Sequence, residues 1–221
     1  MLTRLHLFTC ILFLGALSGW TSAHGQSSHI GNSSVIELYT SQNCSKCPSA
    51  NQKFADFAKS HDVIALTFPV GYWDYLGWKD TFAQTDFDDR QRAYNQSLGR
   101  RGPYTPQIIF NGAEHCSAAR ESTIKKTYKT IRKKFGDDVD LAFDGDTIRV
   151  SGNAKAPMDV WVAAYEPGDS FASPKSGVNK ARTMVYHNRV TALSHIGQWS
   201  GSGMTEAITD LCVKACAIIV Q

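Results

Sequence analysis

Two cysteines spaced as Cys44-Ser45-Lys46-Cys47, between a strand-like run and a helix-like run, constrain this chain more than any other feature. Val35-Ile36-Glu37-Leu38-Tyr39 is short and rich in β-branched and aromatic residues, which reads as a strand. A polar turn, Thr40 to Asn43, follows it. Beyond the cysteines, Phe54, Phe57 and Ala58 recur at helical spacing within Ala50 to Lys59. Val63-Ile64-Ala65-Leu66-Thr67-Phe68 is then almost continuously apolar, the pattern of a buried parallel strand. A β-α-β order predicts an α/β sheet. The two cysteines fall where the first strand passes into the first helix.

That position has chemical consequences. A helix N-terminus presents unpaired backbone N–H groups and partial positive charge. Both favour a thiolate over a thiol, so a cysteine there gains nucleophilicity at neutral pH. Cys44 is therefore predicted to be the exposed attacking residue. Cys47, one turn later, is predicted to be more buried and to resolve a mixed disulfide. Lys46 adds positive charge, and Pro48 suits an early helix position where its missing N–H is not needed. Zinc sites use the same spacing. Cys212 and Cys216 are the other pair such a site could draw on, but three residues separate them and they lie in a β-rich region. A purely structural Cys44–Cys47 disulfide would close too small a loop to stabilise the fold much.

The N-terminus bears on what the cysteines can do. Arg4 precedes an almost wholly apolar run, Leu5 to Leu17, and small residues follow in Thr21-Ser22-Ala23-His24-Gly25. This is the layout of a secretory signal peptide, with cleavage after Ala23 or Gly25. The run falls short of the roughly 20 residues of a membrane span, so residues 1–25 are set aside and no stable span is expected after cleavage. An uncleaved anchor is the alternative. Export places the protein in the periplasm or outside the cell, where disulfides persist. Removing Cys10 from the six cysteines leaves Cys44, Cys47, Cys116, Cys212 and Cys216, an odd number. One of the last three is therefore free or exchanging, with Cys212–Cys216 a local bridge or one of them paired to Cys116.

The net charge of +3 is small, and no basic stripe is interleaved with aromatic residues, so nucleic acid is not an expected partner. The densest basic run, Lys125 to Lys134, carries Ile124, Tyr128, Ile131 and Phe135 at helical spacing, which makes it the solvated face of a helix from about 122 to 135. Between these landmarks lie an aromatic stretch from Tyr72 to Phe82, a polar helical segment around 88–98 and a short strand, Ile108 to Phe110. Asn111-Gly112 is a hairpin turn signal. After Gly136-Asp137-Asp138 the chain reads as mostly β, with strands near 146–151, 159–165, 183–190, 206–209 and 217–220, and a loop over 166–177. Two units follow: residues 34–136 and a β-rich part, residues 137–221.

The segments Glu37 to Pro48, Tyr72 to Asp80 and Tyr104-Thr105-Pro106-Gln107 resemble motifs of a known family, as do Tyr186-His187-Asn188-Arg189-Val190 and Gly197-Gln198-Trp199. Residues 34–135 resemble the thioredoxin-like superfamily. More closely, nearly all of the mature chain resembles a bacterial family of exported proteins, domain-of-unknown-function family 1223. The resemblance implies an α/β fold: a thioredoxin-like domain with an insertion between Phe68 and Pro106, then a mostly antiparallel β part packed on it. It implies a cis Thr105–Pro106 bond facing the dithiol, with the Thr105 backbone free to pair with an extended peptide. An ordinary trans proline at a strand start is the alternative. The family's role is unsettled, so the function is read from the residues: the dithiol, its place at the helix start and the Thr105-Pro106 element predict a thiol–disulfide oxidoreductase that uses Cys44, Cys47, Thr105 and Pro106, needs no cofactor or metal, and acts on protein thiols or disulfides of exported proteins with a redox partner.

Asn43, not an aromatic residue, precedes Cys44, and Cys116, Cys212 and Cys216 lie outside the shared motifs. Glu37 sits inside an apolar strand, seven residues before Cys44. A buried carboxylate there could take the proton of the resolving cysteine, or it could be ion-paired. Tyr72, Trp73 and Trp78 could line a substrate groove or serve as the core of the insertion, with Asp74 and Asp80 exposed or paired. His115, His187 and His195 show no spacing that supports a metal or nucleophile site. The competing function is a non-catalytic binding module, or a metal carrier using Cys44 and Cys47 as soft ligands.

Overall fold

The computed structural model describes residues 33–132, 139–144, 147–208 and 210–221. The expected signal peptide and the end of the basic helix at Phe135 lie outside the described residues. In chain order the elements are β1 (Ser34–Thr40), α1 (Cys47–Lys59), β2 (Val63–Pro69), a 3-10 turn (Asp74–Leu76), α2 (Thr85–Ser97), β3 (Gln107–Phe110), β4 (Glu114–Ser117) and α3 (Glu121–Ile131). They continue as β5 (Val139–Asp144), β6 (Thr147–Gly152), β7 (Met158–Ala172), β8 (Met184–Trp199), β9 (Met204–Ala207) and β10 (Ala215–Val220).

The local signals explain most of these. Pro48 occupies the first turn of α1, and Ala50, Phe54, Phe57 and Ala58 make its buried stripe. Ile124, Tyr128 and Ile131 do the same for α3. Asn111 and Gly112 take positive φ, 47° and 66°, in the turn that joins β3 to β4. The Asn111 side chain also accepts the Val35 backbone N–H at 2.7 Å, which ties the hairpin to β1.

Seven strands form one sheet in the order β10-β7-β8-β2-β1-β3-β4. β1 runs parallel to β2 and antiparallel to β3, so Ile36 and Leu38 face one side and Glu37 and Tyr39 the other. Ile36, Leu38, Ile108 and Phe110 pack with α1 and α3 in one core. Tyr39, Phe68 and Ile109 pack with Phe87 and Tyr94 of α2 in the core on the opposite face. β5, β6 and β9 make a second sheet of three strands. Its Ile148 and Val150 close a third core with Val160, Val162 and Ile218.

The fold is mixed α/β, and its C-terminal strands are antiparallel to one another as expected. Their placement differs from the expected packing of one unit on another. β8 lies beside β2, joined at Thr67 and Arg189, so β7, β8 and β10 lengthen the first sheet edge to edge. The expected loop over 166–177 is also shorter than predicted. β7 runs on to Ala172, and irregular pairing between Glu166 and Asp169 absorbs Pro167 and Gly168. A Pro-Gly pair reads as a loop in sequence, yet a bulge in a long hairpin accommodates it.

Candidate functional site

Cys44 and Cys47 are joined in a disulfide. Cys47 is the first residue of α1, and no side chain caps that helix end. The start of α1 therefore offers uncapped N–H groups to the sulfurs. Cys47 is 0% exposed and Cys44 only 7%. This corrects the expectation of an exposed Cys44. The sulfur pair forms a small apolar cluster with Met184 and Tyr186 of β8, with Phe82 and Ala172 packed against it. Apart from Phe82, the cover comes from the C-terminal half of the chain, more than a hundred residues away in sequence, and no local pattern reports such a contact.

Two segments clasp the loop that leads into the disulfide. From the stretch before α2, the Asp80 carboxylate accepts the Gln42 backbone N–H at 2.7 Å. Trp78 Nε1 donates to Gln42 Oε1 at 2.6 Å, and Asn43 Nδ2 donates to the Trp78 carbonyl. From the loop between β7 and β8, Asn179 Nδ2 donates to the carbonyls of Gln42 and Cys44, at 3.0 and 2.8 Å. Arg182 Nη1 reaches the Ser45 carbonyl at 3.4 Å. Within the loop itself, the Cys44 N–H bonds the Ser41 carbonyl and the Cys47 N–H bonds the Cys44 carbonyl.

Thr105–Pro106 is a cis peptide bond. Tyr39 pairs with Gln107 across β1 and β3, so Pro106 lies beside the end of β1, where the loop to Cys44 begins. Trp73 Nε1 donates to Thr105 Oγ1 at 2.9 Å. Trp73 and Trp78 therefore each donate an indole N–H to a side chain at this end of the sheet, Thr105 and Gln42. Tyr72 packs against the α2 core, and burial pushes its phenol above the ordinary range. Tyr75 and Leu76, by contrast, are exposed.

Glu37 is not at the dithiol. Its side chain faces α2, away from α1, and takes two bonds from Arg90, through Nε at 2.8 Å and Nη2 at 3.0 Å. The hydroxyls of Tyr39 and Tyr94 donate to the same carboxylate. Burial first, and the Glu37 charge second, raise both phenols well above their ordinary value. Of the two readings of Glu37, the ion pair is the one found, and the proton-acceptor role is corrected by the pleat: at odd positions of β1 the side chain points to the α2 face, whereas Cys47 begins α1. Glu37, Arg90 and Tyr94 instead line a cleft of about 1490 Å³ that the cysteines do not reach.

Asp80 is the buried carboxylate beside the dithiol loop, 2% exposed. Burial lifts its pKa to about 6, against the partial opposition of the Gln42 and Phe82 backbone N–H groups. A carboxylate in a polar, aromatic stretch gives no sequence signal of burial. Asn179 was equally unreadable, lying in a segment of Pro, Gly and Ser. The remaining cysteines resolve as Cys212–Cys216, bridged, and Cys116, free and buried. Among the described residues no group of three or more His, Cys, Asp or Glu is placed to hold a metal, and no helix is long and apolar enough to cross a membrane.

A family model described as protein of unknown function (DUF1223) matches residues 35–221. No curated protein matches the chain. The crystal structure of protein AGR_C_4864 from Agrobacterium tumefaciens is similar at 32% identity and a TM-score of 0.63, over 78% of this chain and 76% of that one. HBP35 of Porphyromonas gingivalis is similar in fold, at 16% identity and a TM-score of 0.50, over 80% of this chain and 63% of that one.

Proposed function

The chain belongs to the DUF1223 family of proteins of unknown function, and from that premise we propose that it is an exported thiol–disulfide exchange protein built on a thioredoxin-like unit. One observation carries the reading: a bridged Cys-x-x-Cys at the uncapped start of α1, with cis Thr105–Pro106 at the same end of the sheet. The strand before the cysteines, the helix after them and the parallel β2 support the thioredoxin-like assignment for residues 34–136. Export rests on the N-terminal charge, the apolar run and the small residues that follow it. Two bridged cysteine pairs fit an oxidising compartment.

A partner thiolate attacks Cys44 Sγ, a new S–S bond forms between them, and the Cys44–Cys47 bond breaks with Cys47 leaving as thiolate. A second thiolate of the partner attacks its own sulfur in the mixed disulfide and expels Cys44 as thiolate. The partner's two thiols are thereby oxidised to a disulfide, and the Cys44–Cys47 pair is reduced by two electrons. The protons lost by the partner end on the two cysteines or on solvent. Run backwards, the same steps reduce a partner disulfide. Partial positive charge at the start of α1 lowers the cost of each thiolate. The partners are protein thiols or disulfides of other exported proteins, together with a protein that restores the resting state.

Equilibration of the purified protein against glutathione buffers tests this. The expected result is a reversible two-electron couple at Cys44–Cys47, followed by alkylation and peptide mass. Absence of the couple, or a stoichiometric metal bound by the two thiolates in freshly reduced protein, overturns it.

A further inference from the structure

We propose that Asn179 is a positioning residue that ties the end of the β7–β8 hairpin, whose Ala172 and Met184 pack on the disulfide, to the dithiol loop and so decides which thiols reach Cys44. The inference rests on the thiol-exchange reading above.

Attack on a disulfide needs the incoming sulfur in line with the S–S bond, so access controls rate as much as thiolate character does. At 7% exposure, Cys44 leaves no room for a folded or extended chain to align a cysteine on it. The loop that joins Ala172 to Met184 is a self-contained turn. Inside it the Ala181 N–H bonds the Pro174 carbonyl, Lys180 bonds Gly177, and Arg182 bonds Asn179. Most of its side chains face solvent, including Val178 at 55% exposure, whereas Asn179 is fully buried. The Asn179 amide spends both of its donor bonds on the Gln42 and Cys44 carbonyls, which belong to the dithiol loop. Its oxygen accepts from Arg182, which also reaches Ser45. The loop thus has its own shape and one buried polar fastening to the segment it covers.

Such a fastening is strong enough to hold and weak enough to release. A hydrogen bond between neutral groups shifts an equilibrium by roughly twofold to tenfold, so two of them bias the closed state by about tenfold or more. Small thiols pass through brief openings, whereas a protein thiol needs the loop displaced. The apolar Val178 at its tip is where a partner chain would take hold.

The test compares reduction of Cys44–Cys47 by dithiothreitol and by reduced, unfolded ribonuclease A. Cys44 is followed by alkylation and peptide mass, and the readout is the ratio of the two rate constants. Asn179→Ala is expected to raise the protein-to-small-thiol ratio about tenfold. Gly177→Ala is an independent way to lift the loop. The glycine has φ +76°, and an added Cβ would meet the Asn43 side-chain oxygen at 2.5 Å. It should move the ratio in the same direction, and exposed Arg182→Ala should do so more weakly. A ratio unchanged within twofold in the variants that fold overturns the proposal. The glutathione couple of the same proteins separates the two claims. A reversible couple with an unmoved ratio defeats only the fastening, whereas no couple defeats the exchange reading as well.

Discussion

Arg90 holds Glu37 through Nε and Nη2 within a shell formed by the Phe68, Tyr94 and Trp161 rings, its guanidinium carbon 5.9, 4.9 and 5.3 Å from their centroids. Both charges are out of water, so removing one strands the other. Arg90→Ala is expected to cost about 3–5 kcal/mol in urea unfolding, and to leave the dithiol potential unchanged in the protein that remains folded. Asp80 behaves differently because it lacks a cationic partner among its bonds. Its folded pKa, about 6, lies above the ordinary 3.8, so the folded state binds the proton more tightly than the unfolded chain does. The stability tied to that proton is complete below pH 3.8 and is lost as pH rises through 6. The loss amounts to about 3 kcal/mol, and wild type minus Asp80→Asn in unfolding free energy between pH 3 and 7 measures it. Cys116 gives a third check. Burial pushes its thiol up to about 11, so iodoacetamide at pH 7.5 should leave it unmodified in the native protein while labelling it after denaturation.

Among the elements, α1 carries both the Cys44–Cys47 disulfide and a buried apolar stripe. Phe54 is fully buried against β1 and β3. Phe54→Ala is expected to lower stability by about 3–5 kcal/mol, read from the urea midpoint. Its 3.6 periodicity was legible because one face of α1 meets an apolar core and the other meets water. β7 and β8 were less legible at their far ends. The hairpin arm there is partly exposed, so Glu166, Gly168, Asp169 and Ser170 serve a strand whose sequence looks like a loop. β4 shows the same difficulty on a small scale. Glu114-His115-Cys116-Ser117 has one buried side chain, and its pairing to β3 is what makes it a strand.

For the whole molecule, the decisive contact is the junction of β8 with β2. Thr67 Oγ1 donates to the His187 carbonyl at 2.6 Å, and Asn188 Nδ2 donates to the Ala65 carbonyl at 3.0 Å. Asn51 of α1 adds a bond to the Val185 carbonyl at 2.9 Å. Removal of residues 139–221 would open the edge of β2 and strip Val190, Ala163 and Ile219 from the α2-side core. The truncated chain is expected to aggregate or unfold, and the full chain to unfold in one cooperative transition, with circular dichroism and light scattering as the measures.

Much of this protein was determined by its sequence alone, for reasons of local physics. Apolar periodicity marks β1, α1, β2 and α3, Pro48 marks the start of a helix, and the cysteine spacing at that start marks a dithiol. Each of those signals is carried by residues within one or two turns of one another. Tertiary structure alone decided that the dithiol is covered, that Asn179 and Asp80 hold its loop, and that Glu37 belongs to Arg90 on the other face. Those contacts join residues 38, 53 and 135 positions apart. Such pairs are set by which strand lies beside which and by which face of the pleat a side chain takes, and neither is encoded in a short window of sequence.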